Sequence, residues 1–268
     1  MARSKFSLAK PGLYLDPRPQ NVSQERPYPQ SVSIPFDELP ERMYELPPKH
    51  EPVWVAGMDA WADRAIEFLR AGGRTAERVI ADEPPSKGRI WRLWKPNGFL
   101  EGLLSSLSGD TAIDLACGCG RESVMLAARG FRVDAVDHSD EALRSGSLLA
   151  SRYLIPRTPG EPVPIQWRKL DLESGGPPRQ TYDLAVCFRY LHRPLVAEIA
   201  DSLNDGGSFV METFTTLHRE KHGKPRSDAF ILQPDELPRL VSGLEIQYFE
   251  EAWRPDGSHT ARLWARKL

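Results

Sequence analysis

The stretch Asp114-Leu-Ala-Cys-Gly118-Cys-Gly120-Arg121 decides the fold of this 268-residue chain. The apolar run Ala112 to Ala116 predicts a buried strand, and the run from Glu122 to Arg129 predicts a helix directly after the glycines. Small residues alternate through the turn between them, so the backbone can bend sharply and approach a ligand closely. The free N–H groups at the start of the helix can hold an anionic group.

The rest of the C-terminal part repeats this strand–helix unit. Further strands are predicted at Phe131–Val136, Ile165–Arg168, Leu184–Phe188 and Ser208–Glu212, with helices at Phe99–Leu107, Asp140–Ser151 and Val196–Leu203. Such alternation predicts a mostly parallel sheet covered by helices on both faces. The last two strands, Leu244–Trp253 and Thr260–Arg266, are joined by turn-forming residues and predict an antiparallel hairpin.

The front of the chain has a different character. Prolines are dense from residue 11 to residue 52, which predicts short strands and turns rather than long helices. The segment Asp82–Gly88 is the best candidate for a linker. We therefore expect two domains, residues 1–88 and 89–268, both of the α/β class.

Composition limits the classes of function. The formal charge of −2 gives no electrostatic reason to expect a nucleic-acid partner. No apolar run approaches the ~20 residues that span a bilayer, and no secretory signal is evident. The three cysteines have no disulfide-framework spacing and no His or Cys partners at zinc-site spacing. We expect a cytoplasmic protein with no metal site.

The DLACGCGR stretch resembles motif I of class I S-adenosylmethionine-dependent methyltransferases. The resemblance implies a Rossmann-like, seven-stranded methyltransferase sheet and S-adenosyl-L-methionine as the cofactor. It implies that Asp114 faces the α-amino group of the cofactor and that its methionine part contacts Ala116, Cys117, Gly118, Gly120 and Arg121. A nicotinamide-binding loop is the closest competing interpretation. It would require a third small Gly or Ala where this chain has Ser123, and an acid at Asp114 would face its pyrophosphate.

Three later strand ends complete the predicted cofactor site. Asp137 ends the second strand, where a carboxylate can accept both ribose hydroxyls. The resemblance implies adenine contacts from His138, from Asp171 and from the apolar Leu172 after the third strand. Phe188 ends the fourth strand and is assigned to the cofactor as well.

Polar residues after the fourth and fifth strands are the candidates for catalysis. The run Arg189-Tyr-Leu-His-Arg-Pro194 places a cation, a phenol and an imidazole at the catalytic edge. We assign Arg189 to substrate binding, and Tyr190, His192 and Glu212 to catalysis. The alternatives stay open here: Tyr190 can be a core residue, His192 can cap a helix, and Glu212 can satisfy a buried partner.

The order DLACGCGR, VDHS, RYLHRP and ETF resembles methyltransferases near the tellurite-resistance type. This resemblance covers about Trp91 to Trp253 and implies a small-molecule acceptor without identifying it. The segment Arg92–Phe99 lies where such enzymes carry a lid, so Trp94 is assigned to the substrate. A third interpretation, RNA methylation, would require a basic face beside the site.

The front domain is similar to a rhodanese. The similarity rests on Leu15-Asp16-Pro-Arg18 and on Ser31-Val-Ser-Ile-Pro35-Phe-Asp-Glu-Leu39. Ala56 stands at the nucleophile position, and no cysteine precedes Cys117, so persulfide chemistry is excluded. A docking role remains. The alternative to an enzyme is therefore a non-enzymatic S-adenosylmethionine-binding scaffold that uses this domain to bind a protein partner.

Overall fold

The computed structural model describes residues 5–80, 90–177 and 180–268. The chain forms two compact units, one of Leu8–Lys95 and a larger one of Met1–Ser7 with Pro96–Leu268. The predicted linker Asp82–Gly88 lies outside the described residues, so the boundary at residue 88 stays a prediction. In the part of the chain that is described, no helix has both the length and the apolar character needed to cross a membrane.

The larger unit is built on one seven-stranded sheet. Its strands are β1 Thr111–Leu115, β2 Arg132–Asp137, β3 Ile165–Lys169, β4 Tyr182–Phe188, β5 Leu203–Phe214, β6 Leu244–Trp253 and β7 His259–Lys267. They lie in the order β3-β2-β1-β4-β5-β7-β6. The first five pair in parallel, and β7 runs antiparallel to β5 and β6. The mostly parallel sheet with a C-terminal hairpin is confirmed.

The central strands are apolar because helices cover both faces of the sheet. Ile113 on β1 and Leu184, Ala185 and Val186 on β4 are fully buried. The helices of this unit are α1 Gly98–Leu103, α2 Arg121–Arg129, α3 Asp140–Tyr153, α4 Arg193–Ala197, α5 Thr216–His222 and α6 Glu236–Leu240. Since β1 to β5 are parallel, the loops that follow them all leave the same edge of the sheet, which we call the carboxyl edge.

The predicted helix Val196–Leu203 is confirmed only in part, because it begins earlier and is broken in the structure. The structure has the short α4, a 3-10 turn at Ile199–Ser202, and then the long strand β5, which begins at Leu203. The sequence Asn204-Asp-Gly-Gly207 had indicated a loop. Instead the pairing of β4 with β5 shifts register here, and a Cβ on Gly207 would lie 2.7 Å from the Asn204 carbonyl oxygen. The glycines thus allow an irregular strand where a turn was expected.

The smaller unit contains a four-stranded parallel sheet. Its strands follow the spatial order Ser31–Ser33, Tyr14–Asp16, Val53–Ala56 and Ala76–Val79. A separate pair joins Lys10–Pro11 to Trp91–Arg92. The helical segments are Gln20–Glu25, the 3-10 segment Phe36–Glu45 and Ala60–Ala71. Alternating short strands and helical turns give this unit its own α/β core.

Candidate active site

The glycine turn between β1 and α2 adopts the left-handed backbone that its small residues permit. Ala116, Gly118 and Gly120 have φ values of 57°, 53° and 69°. A Cβ on Gly118 would meet no atom within 4 Å, whereas one on Gly120 would lie 2.4 Å from the Trp167 ring of β3. Gly120 is therefore required for packing as well as for backbone conformation, and Gly118 borders open space. The structure supplies the close-approach surface that the sequence predicted.

The Asp137 carboxylate closes this turn from the neighbouring strand. One of its oxygens accepts a hydrogen bond from the Gly118 N–H at 2.9 Å, and the other accepts from the Ser139 N–H at 2.9 Å. The side chain is nearly buried at the end of β2. The structure thus brings the predicted glycine turn and the predicted ribose carboxylate into direct contact.

Two further carboxylates lie beside the turn. Asp114 is 2% exposed and accepts a hydrogen bond from the Ser123 hydroxyl at 2.5 Å. Burial, together with the charge of Glu122, raises the pKa of Asp114 well above its ordinary value. Burial likewise raises the pKa of Glu122, whose carboxylate accepts from the Asn97 N–H at 2.8 Å. This acidic group therefore favours a cation, such as the ammonium of an amino acid.

Glu122 was missed by the sequence analysis. Acidic residues in the first turn are common on helices of every function because they complement the helix dipole. Its sequence position alone gave no reason to single it out. Arg121, which was predicted, begins the same helix and is half-buried. Burial raises the pKa values of Glu122 and Cys119, and the charge of Arg121 partly opposes that rise. Cys117 is buried at the turn, and burial raises the pKa of its thiol.

The predicted adenine contacts lie at the ends of β2 and β3. Backbone pairing joins these ends, since the Leu170 N–H donates to the Asp137 carbonyl at 3.0 Å. His138 is exposed, with its Nδ1 3.4 Å from the Asp137 carboxylate. Asp171 is exposed, and the Glu173 N–H and Ser174 hydroxyl that it accepts from lower its pKa. Leu172 is buried in the hydrophobic core of the larger unit, which we call the main core.

Tyr190 stands over the same edge from the end of β4. It packs against the main core, and burial raises the pKa of its phenol to about 12. The charges of Glu173, Asp171 and Asp137 add to this shift, which shows that the loops after β2, β3 and β4 converge. Phe188, half-buried at the last position of β4, lies opposite Glu212 in the sheet.

Arg189 and His192 occupy different surroundings in the loop after β4. Arg189 has a left-handed φ of 60°, donates to Asp256 at 3.0 Å and lies 4.5 Å over the Phe214 ring. His192 precedes α4, but its side chain makes no capping hydrogen bond. It lines a cavity of about 210 Å³ together with Glu173, Leu191 and Phe230. The imidazole is thus placed at an opening beside the carboxyl edge.

Glu212 is enclosed by its own partners at the end of β5. The side chain is 1% exposed and accepts from the Thr260 hydroxyl at 2.7 Å and from the Asn97 amide at 2.9 Å. The Arg262 Nε lies 3.2 Å from the same carboxylate, and the Arg254 Nε lies 3.7 Å from it. The partners Asn97, Arg254 and Arg262 were not predicted, because nothing local in the sequence links them to Glu212.

Trp94 belongs to the smaller unit. Its side chain is fully buried, and the Arg92 guanidinium lies 4.7 Å over its ring. The predicted substrate role of Trp94 stays a prediction. Among the described residues, no group of three or more His, Cys, Asp or Glu side chains is arranged to hold a metal ion.

A cavity of about 1660 Å³ lies at the opposite end of the sheet, where β1, β2 and β4 begin. Thr111, Asp134 and Tyr182 are among its lining residues, and none of the predicted site residues is. Volume alone therefore does not mark the site. The glycine turn, the three carboxylates and the polar loops all lie at the carboxyl edge, which is where ligands bind in sheets of this kind.

Comparison with known proteins places the glycine turn within a recognised domain. Residues 112–207 match the family described as a methyltransferase domain. The chain is 33% identical over 170 residues to ubiquinone biosynthesis O-methyltransferase from Nitrosomonas europaea, covering 61% of this chain and 66% of that protein. It is 27% identical over 150 residues to glycine N-methyltransferase from Oryctolagus cuniculus, covering 46% and 50%. The chain thus spans about half to two thirds of the length of these curated relatives.

Solved structures agree on the fold. TehB from Haemophilus influenzae is similar with a TM-score of 0.53 at 19% identity, covering 65% of this chain and 63% of that one. An S-adenosylmethionine-dependent methyltransferase from Mesorhizobium loti gives a TM-score of 0.50 at 18% identity, covering 63% and 96%. The larger unit therefore carries a class I methyltransferase domain. The predicted methyltransferase domain is thereby confirmed.

Proposed function

We propose that the whole chain is an S-adenosylmethionine-dependent methyltransferase acting on a small-molecule acceptor. The observation that carries the proposal is the contact between the Asp137 carboxylate and the Gly118 N–H at 2.9 Å, beside the buried Asp114. One turn then offers open backbone to the methionine part of a ligand and carboxylates to its polar groups. The names of the curated relatives, an O-methyltransferase and glycine N-methyltransferases, favour an enzyme over a scaffold.

The residues present fit the cofactor. Asp114 and Glu122 would compensate its ammonium and sulfonium charges, which explains why a buried and a half-buried acid lie together. Asp137 would accept the ribose hydroxyls with the lone pairs that Gly118 and Ser139 leave free. Asp171 and His138 are assigned to the adenine edge, with Leu172 behind them. When bound, S-adenosylmethionine supplies an electrophilic methyl group, and the protein contributes alignment and exclusion of water.

The acceptor is assigned to the loops after β4 and β5. With a pKa of about 12, Tyr190 is a neutral phenol at physiological pH and can donate a hydrogen bond to an acceptor. His192 is our candidate for a general base, needed only where the acceptor must lose a proton before attack. Arg189 would orient an anionic or polarised acceptor. Because its carboxylate is already paired, Glu212 is assigned to holding the loops after β4 and β5 in place rather than to binding the acceptor.

The smaller unit is proposed to be a rhodanese-like domain without sulfurtransferase activity. Support comes from its parallel sheet and from the loop Ala56-Gly-Met-Asp-Ala60, which joins a strand to a helix that Asp59 caps. Ala56 cannot carry sulfur, since persulfide chemistry needs a thiolate. We assign this unit to binding a protein partner. The tellurite-resistance-type branch and the cytoplasmic location also stay proposals.

The experiment is a calorimetric titration of S-adenosylmethionine followed by an acceptor screen. We expect binding, and formation of S-adenosylhomocysteine with at least one compound from a panel of thiols, oxyanions, small acids and amines. Binding without turnover across the panel would support the scaffold instead. Absence of binding would contradict the proposed function altogether.

A further inference from the structure

Asn97 makes three different contacts inside the larger unit. Its backbone N–H donates to the Glu122 carboxylate at 2.8 Å, and its side-chain amide donates to Glu212 at 2.9 Å. Its side-chain oxygen accepts from the N–H groups of Phe99 and Leu100, at 2.9 and 3.3 Å, and so caps α1. One residue therefore joins the start of α1 to two carboxylates that are 90 positions apart in the chain.

The Glu122 contact reaches the cofactor side of the site. Glu122 lies on the first turn of α2, directly after the glycine turn, and its charge acts on Asp114. A ligand cation beside these acids favours the ionised form of Glu122. A carboxylate accepts a stronger hydrogen bond than a carboxylic acid does, so binding of the cation would tighten the contact with the Asn97 N–H.

The Glu212 contact reaches the acceptor side. Thr260 and Arg262 hold Glu212 at the end of β5, and the Arg262 guanidinium also lies 5.3 Å over the Phe99 ring of α1. Phe99 in turn contacts the Tyr248 ring of β6 at 5.4 Å. Helix α1 is thus held against β5 through Asn97 at its start, and against the hairpin strands β6 and β7 through Phe99 on its first turn.

We infer that Asn97 is a positioning residue that fastens α1 to the cofactor turn and to the acceptor edge at once, so that cofactor binding orders the acceptor side. This inference rests on the proposed function. It assigns Asn97 no contact with cofactor or acceptor. The consequence is measurable without knowing the acceptor, because the order of α1 should depend on the cofactor.

The test uses the full chain with Asn97→Ser. Serine keeps the backbone N–H and a capping oxygen, but it removes the amide that donates to Glu212. The matched control is Asn204→Ser, since the Asn204 amide donates to the Asp183 carboxylate at 2.8 Å at the opposite edge of the sheet. Hydrogen exchange of the segment 97–103 is measured with and without S-adenosylmethionine, and affinity is measured by calorimetry.

In the native protein we expect S-adenosylmethionine to slow exchange in this segment about tenfold, the size of one charge-assisted hydrogen bond. Without the amide that anchors it to Glu212, the start of α1 no longer holds the Asn97 N–H at Glu122. Asn97→Ser should therefore lose most of this slowing and bind the cofactor about threefold more weakly, while Asn204→Ser keeps both. If Asn97→Ser fails to fold, Asn97→Thr also keeps a capping oxygen without adding a charge beside Glu212, and it should show the same loss.

Two outcomes would overturn the inference. One is an Asn97 variant that matches Asn204→Ser in both affinity and cofactor-dependent exchange. The other is a native protein that binds S-adenosylmethionine with no change of exchange in the segment 97–103. A native protein that does not bind S-adenosylmethionine at all would instead contradict the proposed function.

Discussion

The carboxyl edge has two halves that are built in different ways. The cofactor half is formed around the glycine turn, Asp137 and Asp171, and the acceptor half around Arg189 and Glu212. On the cofactor half, the carboxylates accept hydrogen bonds from residues at most 25 positions away: Asp137 accepts from Gly118 and Ser139, and Glu122 accepts from Asn97. On the acceptor half, the contacts cross long stretches of chain. Arg189 pairs with Asp256, Glu212 with Thr260, and Asn97 with Glu212.

This difference explains why the cofactor half is recognisable from local motifs and the acceptor half is not. A turn that must hold one unchanging ligand can be specified by a few adjacent residues. A binding surface assembled from several loops and a hairpin can be altered by a substitution in any of them, so it can be adapted to different acceptors. Stability and ligand affinity should therefore respond differently to substitutions in the two halves.

The largest expected effect comes from the cofactor half. Gly120→Ala would place a methyl group 2.4 Å from Trp167 at a left-handed φ of 69°. Overpacking and backbone strain together should cost about 2–4 kcal/mol of unfolding free energy, measured by urea denaturation.

Gly118→Ala is the matched control for this prediction. It has the same backbone strain, about 1 kcal/mol, but its methyl group would enter open space. We expect a small loss of stability and a large loss of S-adenosylmethionine affinity. Equal stability losses in the two variants would show that Trp167 packing does not distinguish the two glycines.

A second effect is expected in the acceptor half. Glu212→Gln removes a buried charge that faces Arg262 and Arg254, and should cost about 2–3 kcal/mol because those cations lose their partner. Glu250→Gln, which removes the half-exposed partner of Arg254, should cost less than about 1 kcal/mol. Thermal unfolding of both variants is the measurement, and similar losses would mean that Glu212 is not held as described.

The smallest effect is a dependence on pH. Asp114 and Glu122 have raised pKa values in the folded protein, so without a ligand they lower its stability as pH rises above their ordinary values. A bound cation reverses this, because it favours their ionised forms. The thermal shift produced by S-adenosylmethionine should therefore be larger at pH 8 than at pH 5. Glu122→Gln should flatten this dependence, and a shift that decreases with rising pH would contradict it.

The sequence was sufficient for the sheet and for the residues of the glycine turn. The alternation of strands and helices and the spacing from Gly120 to Asp137 are local patterns, which periodicity and turn chemistry can reveal. The second reason for Gly120, its contact with Trp167, was not predictable, because Trp167 reaches it from another strand. Asn204–Gly207 was misread since the same residues serve a turn and an irregular strand.

The contacts of the acceptor half could not be predicted from the sequence. Glu212 was predicted because it lies near the end of a strand at the carboxyl edge. Its partners Thr260 and Asn97 are 48 and 115 positions away in the sequence. Glu122 lies on the first turn of a helix, a common position for an acid. Only its closeness to Asp114 in the folded protein marks it as part of the site. Such contacts are set by how the strands and the hairpin fold together, and a single sequence does not display them.

The central claim is that Asp137 and the glycine turn jointly bind S-adenosylmethionine. The most direct test is calorimetric titration of S-adenosylmethionine into the native protein and into Asp137→Asn, with the exposed Asp171→Asn as the control. We predict that Asp137→Asn weakens binding at least about tenfold, since a charged hydrogen-bonding group is lost, and that Asp171→Asn weakens it less. Unchanged affinity in Asp137→Asn would contradict the account.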